Sequence, residues 1–170
     1  FTLLRVFLFI LVLSPCVSAQ EEWDIHRLDD AIFVRVHGEI TWGDTLIFRI
    51  PKDKCDIMEH LFTFYTAYNH EDIKYLETII LPINNNDIDL GAEVLFVKPF
   101  LAGHSVWFTL GHYKIKEHLS FLQTLDPFFI RIVDGSNFTA KDYFDVPNNS
   151  WQLAGMKEKI EEGQLLCRDL

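Results

Sequence analysis

Histidine is the side chain here best suited to chemistry near neutral pH, because imidazole titrates there and also ligates metals. Seven are present, at positions 26, 37, 60, 70, 104, 112 and 118. Zinc asks for three or four ligands gathered in space, often with two of them one helical turn apart. No pair has that spacing within one expected element. His104, His112 and His118 flank one expected strand and the helix after it, so they are the set that could converge on a metal. The plainer expectation for each is a surface or hydrogen-bonded imidazole, and no cofactor is called for.

Other motifs fall short of a site. Asn85-x-Asp87-x-Asp89-x-Gly91 offers oxygen ligands at alternating positions, as a calcium loop does. Leu90 then stands where that loop needs glycine, and Phe96 where it needs a bidentate glutamate, so a polar hairpin turn is expected. Asp134-Gly135-Ser136-Asn137 reads as a second turn. Nucleophilic catalysis lacks a Gly-x-Ser-x-Gly elbow. Ser105 adjoins His104, but neighbours on a strand point to opposite faces. The acidic residues number 25, too many for sequence to single out an acid–base pair. Asn137-Phe138-Thr139 and Asn148-Asn149-Ser150 match the glycosylation pattern and matter only in a eukaryotic secretory route.

Aromatic residues are abundant, with 15 Phe, 5 Tyr and 4 Trp. Trp42, Phe62, Phe64, Phe96, Trp107 and Phe108 are expected mainly in the core. Tyr65, Tyr68 and Phe100 stand in more polar surroundings and are the candidates for a binding patch. Phe100-Leu101-Ala102-Gly103 is an apolar loop of the kind that carries recognition.

The N-terminus indicates where such a patch would operate. One cation, Arg5, precedes an apolar run over 6–13. Ser14-Pro15 breaks it, and Val17-Ser18-Ala19 supplies small residues for a peptidase. This order is that of a signal peptide over 1–19, leaving 20–170 as a single β-rich domain. The run is too short for a membrane span, which needs roughly 20 apolar residues, so no span is expected after cleavage. Lipidation of Cys16 is a rival reading, weakened by Pro15 directly before it.

All 25 Asp and Glu lie beyond Ala19 with 14 of the 15 Lys and Arg, which gives the mature part a net charge of −11. No basic cluster offsets it, and phosphate backbones are repelled, which argues against nucleic acid as a partner. With Cys16 removed, Cys55 and Cys167 remain. An even count outside the cytoplasm argues that they form a disulfide.

Strand periodicity positions these residues. Alternation predicts strands over 31–37, 39–42, 45–50, 61–66, 76–81, 93–97, 105–110 and 128–133. A short helical turn capped by Asp53 is expected through Cys55 and Met58. Residues 84–87 read as a turn. Ile115, Leu119 and Leu122 share one helical face, predicting a helix near 114–124. Leu153, Met156 and Ile160 predict an amphipathic helix over 151–166, capped by Ser150. The expected fold is mainly β with α+β character, an antiparallel sandwich or partly open barrel of about seven or eight strands.

The function expected is that of an exported, non-catalytic binding or interaction module, periplasmic or extracellular, whose partner is a protein or envelope component. A hydrolase or metal enzyme using the His104, His112, His118 neighbourhood is one alternative. A surface-assembly subunit pairing by its edge strands is another.

Overall fold

The computed structural model describes residues 22–68, 79–83, 86–125, 127–135 and 138–170. Its elements are β1 (Asp24–Arg27), β2 (Ala31–His37), β3 (Thr45–Pro51), β4 (Ile57–Thr66), β5 (Ile79–Ile83), β6 (Asn86–Phe100), β7 (Gly103–Lys114), α1 (Ile115–Leu122), β8 (Phe128–Arg131), α2 (Ala140–Tyr143), β9 (Asn148–Trp151) and α3 (Met156–Arg168). All strand pairs are antiparallel, in the order β1-β2-β3-β4-β7-β6-β5-β8-β9. The main sheet is β1-β2-β3-β4-β7-β6. The β8–β9 pair joins β5 through a single register pair, Ile83 with Ile130.

Period-two alternation makes this sheet two-faced. Ile32, Val34 and Val36 of β2, Leu46, Phe48 and Ile50 of β3, and Met58, Phe62 and Phe64 of β4 are all buried. They join Val106, Phe108 and Leu110 of β7 in one core. The β8–β9 pair folds back over this inner face, where Trp151 meets Phe64 at 6.3 Å between ring centroids. Helix α3 covers the β2–β3 end, and Gly163 allows the close approach. A β-carbon there would stand 2.9 Å from Val34 Cγ2 and 3.2 Å from Ile32 Cγ2. The sheet curls without closing as a barrel. Strand β9 meets the loop after β2, where Glu39 N–H donates to the Ser150 carbonyl at 2.9 Å.

The mainly β, sandwich-like architecture and the two expected helices, α1 and α3, agree with the sequence, and α2 is an addition. Trp42 and Phe96, expected in the core, are 64% and 46% exposed, and three expected elements differ. Residues 39–42 form a turn, not a strand, because the β2–β3 ladder ends at His37 with Thr45 and the loop is tied to β9 instead. The turn after Pro51 does not reach Met58 as a helix. It stops at residue 56, and Met58 pairs with Tyr113 in the β4–β7 ladder. Helix α3 starts at Met156, not near 151. Residues 148–151 are committed to β9, and Gly155 sits at φ 80, a left-handed conformation that an advancing helix cannot pass through. The leader at 1–19 with Cys16, and the sequon residue Asn137, lie outside the described residues. So do Asn84 and Asn85 of the expected turn, while Asn86 and Asp87 lie in β6.

The antiparallel ladders give the molecule two distinct ends. At one end, Cys55, in the turn between β3 and β4, is bridged to Cys167, with Cα atoms 5.7 Å apart. Helix α1 leaves β7 at this same end. At the other end three connections converge, namely 38–44, 65–68 and the β6–β7 hairpin tip at 101–102.

Candidate functional site

The loop end is fixed by a buried polar knot centred on Asn149, which is fully buried in β9. Its Nδ2 donates to the Thr41 carbonyl at 3.0 Å and to Asp44 Oδ2 at 2.8 Å. Its Oδ1 accepts from Ile40 N–H at 2.9 Å and Ser150 N–H at 2.8 Å. Asp44 Oδ1 in turn accepts from Tyr65 N–H at 2.6 Å. Two side chains thus lock loop 38–44 to β9 and to the end of β4. Burial pushes the Asp44 carboxyl up to about 7, against the opposing pull of the Tyr65 N–H and the Asn149 amide.

On this support sit the aromatic residues expected to bind. The Tyr65 and Phe100 rings meet edge to face at 6.4 Å. Gly43 lies against both residues, so loop 38–44 abuts them. Tyr68 is exposed nearby. Two further residues extend the surface. Trp42, expected in the core, is 64% exposed and lies flat on His37 at 4.4 Å. The reason is the turn at 39–42, which removes Trp42 from any ladder. Leu101 is 84% exposed at the hairpin tip and has φ 53.

That conformation is costly for leucine. A left-handed backbone brings Cβ against the carbonyl, at roughly 1–2 kcal/mol for an ordinary residue. In a two-residue hairpin loop with positive φ at its first residue alone, glycine normally takes that position. Leu101→Gly is therefore expected to stabilise the fold by about 0.5–1 kcal/mol, measured by urea unfolding, since the exposed leucine side chain has little packing to lose. A loss of stability would show that Leu101 is held by contacts and not presented to solvent.

The three histidines considered for metal are distributed along β7 and beyond. His104, opposite Thr66 and Pro99, is at the loop end. His112 is eight residues along the same strand, about 26 Å away at strand rise. His118 lies on α1, buried at the stapled end. Among the described residues no three His, Cys, Asp or Glu side chains group to hold a metal ion.

His118 instead meets a histidine that sequence reasoning passed over. His60 points inward from β4, between Met58 and Phe62, and its Nδ1 is 2.9 Å from His118 Nε2. Phe48 and Phe128 pack on the His60 ring, and Tyr113 stacks parallel to His118 at 4.0 Å. The signal was legible. His60 occupies a core position in an otherwise apolar alternation.

Burial holds both imidazoles neutral. It lowers His118 to about 4, and burial with the neighbouring His118 drives His60 well below its ordinary value. An unfolded imidazole takes up a proton below about 6.5, which the folded pair refuses. The stability due to each is complete above 6.5 and drains as pH falls toward the folded value. Asp44 acts oppositely between 3.8 and about 7, where the folded carboxyl keeps a proton that the unfolded one has lost. Two histidines against one carboxyl leave a net loss of stability as pH falls from 6.5 to 5, shallow at first and approaching about 1 kcal/mol per pH unit near pH 5. Urea unfolding at pH 7, 6 and 5 should show that slope. A flat profile would contradict the burial of the pair.

A third surface is the outer face of the main sheet. A shallow groove of about 490 Å³ runs over Phe33, Arg35, Arg49, Leu95, Phe96 and Trp107. Its polar groups are already committed, Arg35 to Asp24 at 3.0 Å and Arg49 to Asp30 and Glu59 at 3.3 and 3.4 Å. Ile47 and Leu61 beneath are nearly closed over.

Known proteins provide no match. Neither a family model, a curated protein nor a solved structure resembles this chain. The functional reading therefore rests on the geometry alone. Among the described residues no helix is long and apolar enough to cross a membrane.

Proposed function

We propose that this chain is an exported, non-catalytic binding module that grips a protein or envelope component with its loop end. Trp42, Tyr65, Tyr68, Phe100 and Leu101 form the gripping surface. The observation that carries the reading is Leu101, a branched apolar side chain held in solvent in a conformation that costs stability. Strain of this kind persists where a side chain must be presented. Rigid aromatic anchors beside it supply large contact area at small entropic cost, as binding surfaces do. The Cys55–Cys167 bridge supports export, since such bonds persist outside the reducing cytoplasm.

The test compares the tagged full chain with a Trp42→Ser, Leu101→Asp variant, both recovered natively from the compartment where the protein accumulates. A discrete partner that co-elutes with the wild type and is lost from the folded variant is the expected result. A self-assembled oligomer that the variant leaves intact would favour the edge-strand assembly reading. Stoichiometric metal with turnover of an ester, peptide or glycoside, abolished by His104→Ala, would favour an enzyme.

A further inference from the structure

The three connections of the loop end touch one another at their tips. Gly43 lies against Phe100 and Tyr65, and Gly103 lies tight against the Thr66 carbonyl and the Tyr65 ring. The tips are 40–43, 65–68 and 100–103, reading Ile-Thr-Trp-Gly, Tyr-Thr-Ala-Tyr and Phe-Leu-Ala-Gly. None of these twelve residues is charged, in a chain that is 24% charged. Their large side chains nevertheless stand in water, with Leu101 84%, Trp42 64%, Ile40 49% and Tyr68 47% exposed.

Five polar groups of the tip backbone are already paired. Ile40 N–H donates to Asn149 Oδ1, and the Thr41 carbonyl accepts from Asn149 Nδ2. Tyr65 N–H donates to Asp44 Oδ1 at 2.6 Å, Ala67 N–H to Asp145 Oδ2 at 2.9 Å, and Tyr68 N–H to Thr66 Oγ1 at 3.0 Å. Protein interfaces have a polar rim and about one hydrogen bond per 100–200 Å². Hydrocarbon offers no hydrogen bonds and penalises every unmet polar group. An uncharged tip whose donors are turned inward is suited to the second surroundings.

We propose that the loop end docks on the neutral, zwitterionic surface of a phosphatidylcholine bilayer. Leu101 and Ile40 enter the acyl boundary, while Trp42 and Tyr68 sit at headgroup level. This narrows the loop-end reading, on which it rests, to one partner.

Side-chain chemistry and charge support the two halves of that description. Trp and Tyr concentrate at membrane interfaces, where an apolar ring can keep a polar edge wet, and aliphatic side chains go deeper. The exposed charges flanking the tips include Glu39, Asp145 and Lys98. Glu39 accepts from Ser150 Oγ at 2.7 Å and Gln152 Nε2 at 2.8 Å, and Lys98 Nζ lies 4.6 Å over the Trp107 ring. Two carboxylates against one ammonium, on a chain with 25 acidic and 15 basic residues, favour a neutral surface over an anionic one. Four partly inserted side chains bind about as firmly as one acyl chain, with an association constant on the order of 10⁴ M⁻¹.

The full oxidised chain is titrated with dioleoylphosphatidylcholine vesicles, pure or mixed with phosphatidylglycerol, and binding is read by co-sedimentation. Half-saturation is expected at about 0.1 mM accessible phosphatidylcholine, and admixed phosphatidylglycerol should weaken binding. Leu101→Ser should raise the lipid required about tenfold, the effect of one apolar side chain. Leu165→Ser, exposed on α3 at the stapled end, should leave it unchanged. Brominated acyl chains should quench part of the tryptophan emission, and Trp42→Phe should remove that part. Should Leu101→Ser fail to fold, the quenching of the wild type still decides the matter. No binding to phosphatidylcholine, tighter binding with phosphatidylglycerol, or equal binding of wild type and folded Leu101→Ser would overturn the proposal. Loop-end crosslinks to a protein, without vesicle binding, would discard the lipid partner and leave the loop end as the binding surface.

Discussion

Asn149→Ala is expected to destabilise the protein by about 3–5 kcal/mol, far more than the loss of one surface amide. The substitution strips partners from four groups at once, the part-buried Ile40 and Ser150 N–H groups, the part-buried Thr41 carbonyl and one oxygen of the buried Asp44. Each unmet group costs about 1–3 kcal/mol, partly recovered where water can enter. The damage should be local before it is global. Amide exchange at Ile40 and Tyr65 should accelerate more than at Val106, because the knot ties loop 38–44 to β9 and to the end of β4. Asn149→Asp provides the contrast. It retains the acceptor oxygen but sets a second carboxyl against Asp44, so its stability should fall further as pH rises. A loss below about 1 kcal/mol for Asn149→Ala would mean that the loop is held by its turns alone.

The second large effect is removal of the disulfide. Cys55 and Cys167 are 112 residues apart in sequence, and closing a loop of that length restricts the unfolded chain by about 4–5 kcal/mol in the entropic description. The Cys55→Ser, Cys167→Ser double variant should therefore lose 2–5 kcal/mol in urea unfolding, since measured values often run below the entropic figure. Cys167 is buried in the last turn of α3, so a serine hydroxyl there adds a desolvation cost. Ile160 and Gly163 still seat the middle of the helix on β2 and β3, so the native far-UV signal should survive. Reduction of the wild type should reproduce the loss. An unchanged midpoint would mean that the unfolded chain is already compact.

How much of this was legible in the sequence depends on the range of the interaction involved. Strand period and the apolar face of α1 are local signals, and they place β2, β3, β8 and α1 closely and the middle of β7. The disulfide follows from the cysteine count once residues 1–19 are read as a leader. Tyr65 and Phe100 stand out as aromatic residues on polar-looking strand faces, and the fold brings them into ring contact. What failed was set by partners far along the chain. Residues 39–42 have strand chemistry, but Asn149, more than a hundred residues away, claims their backbone. Trp42 was assigned to the core for the same reason. Residues 148–151 were read into the C-terminal helix because nothing local shows that β8 will pair with them. His60 was missed among seven histidines, although its place in the inward row of β4 marked it. Leu101 could be read as an apolar loop residue, but its left-handed backbone could not.

The loop end is the central claim, and site-specific photo-crosslinking tests it most directly. A photoreactive phenylalanine analogue is placed at Leu101, at Trp42, and at Glu158 on the solvated face of α3 as a control. The full chain is then irradiated in the cells that produce it. Covalent adducts of one discrete mass from positions 101 and 42, and none from 158, are the predicted result. Adducts from 158 alone, or equally from all three positions, would contradict the loop end as the binding surface.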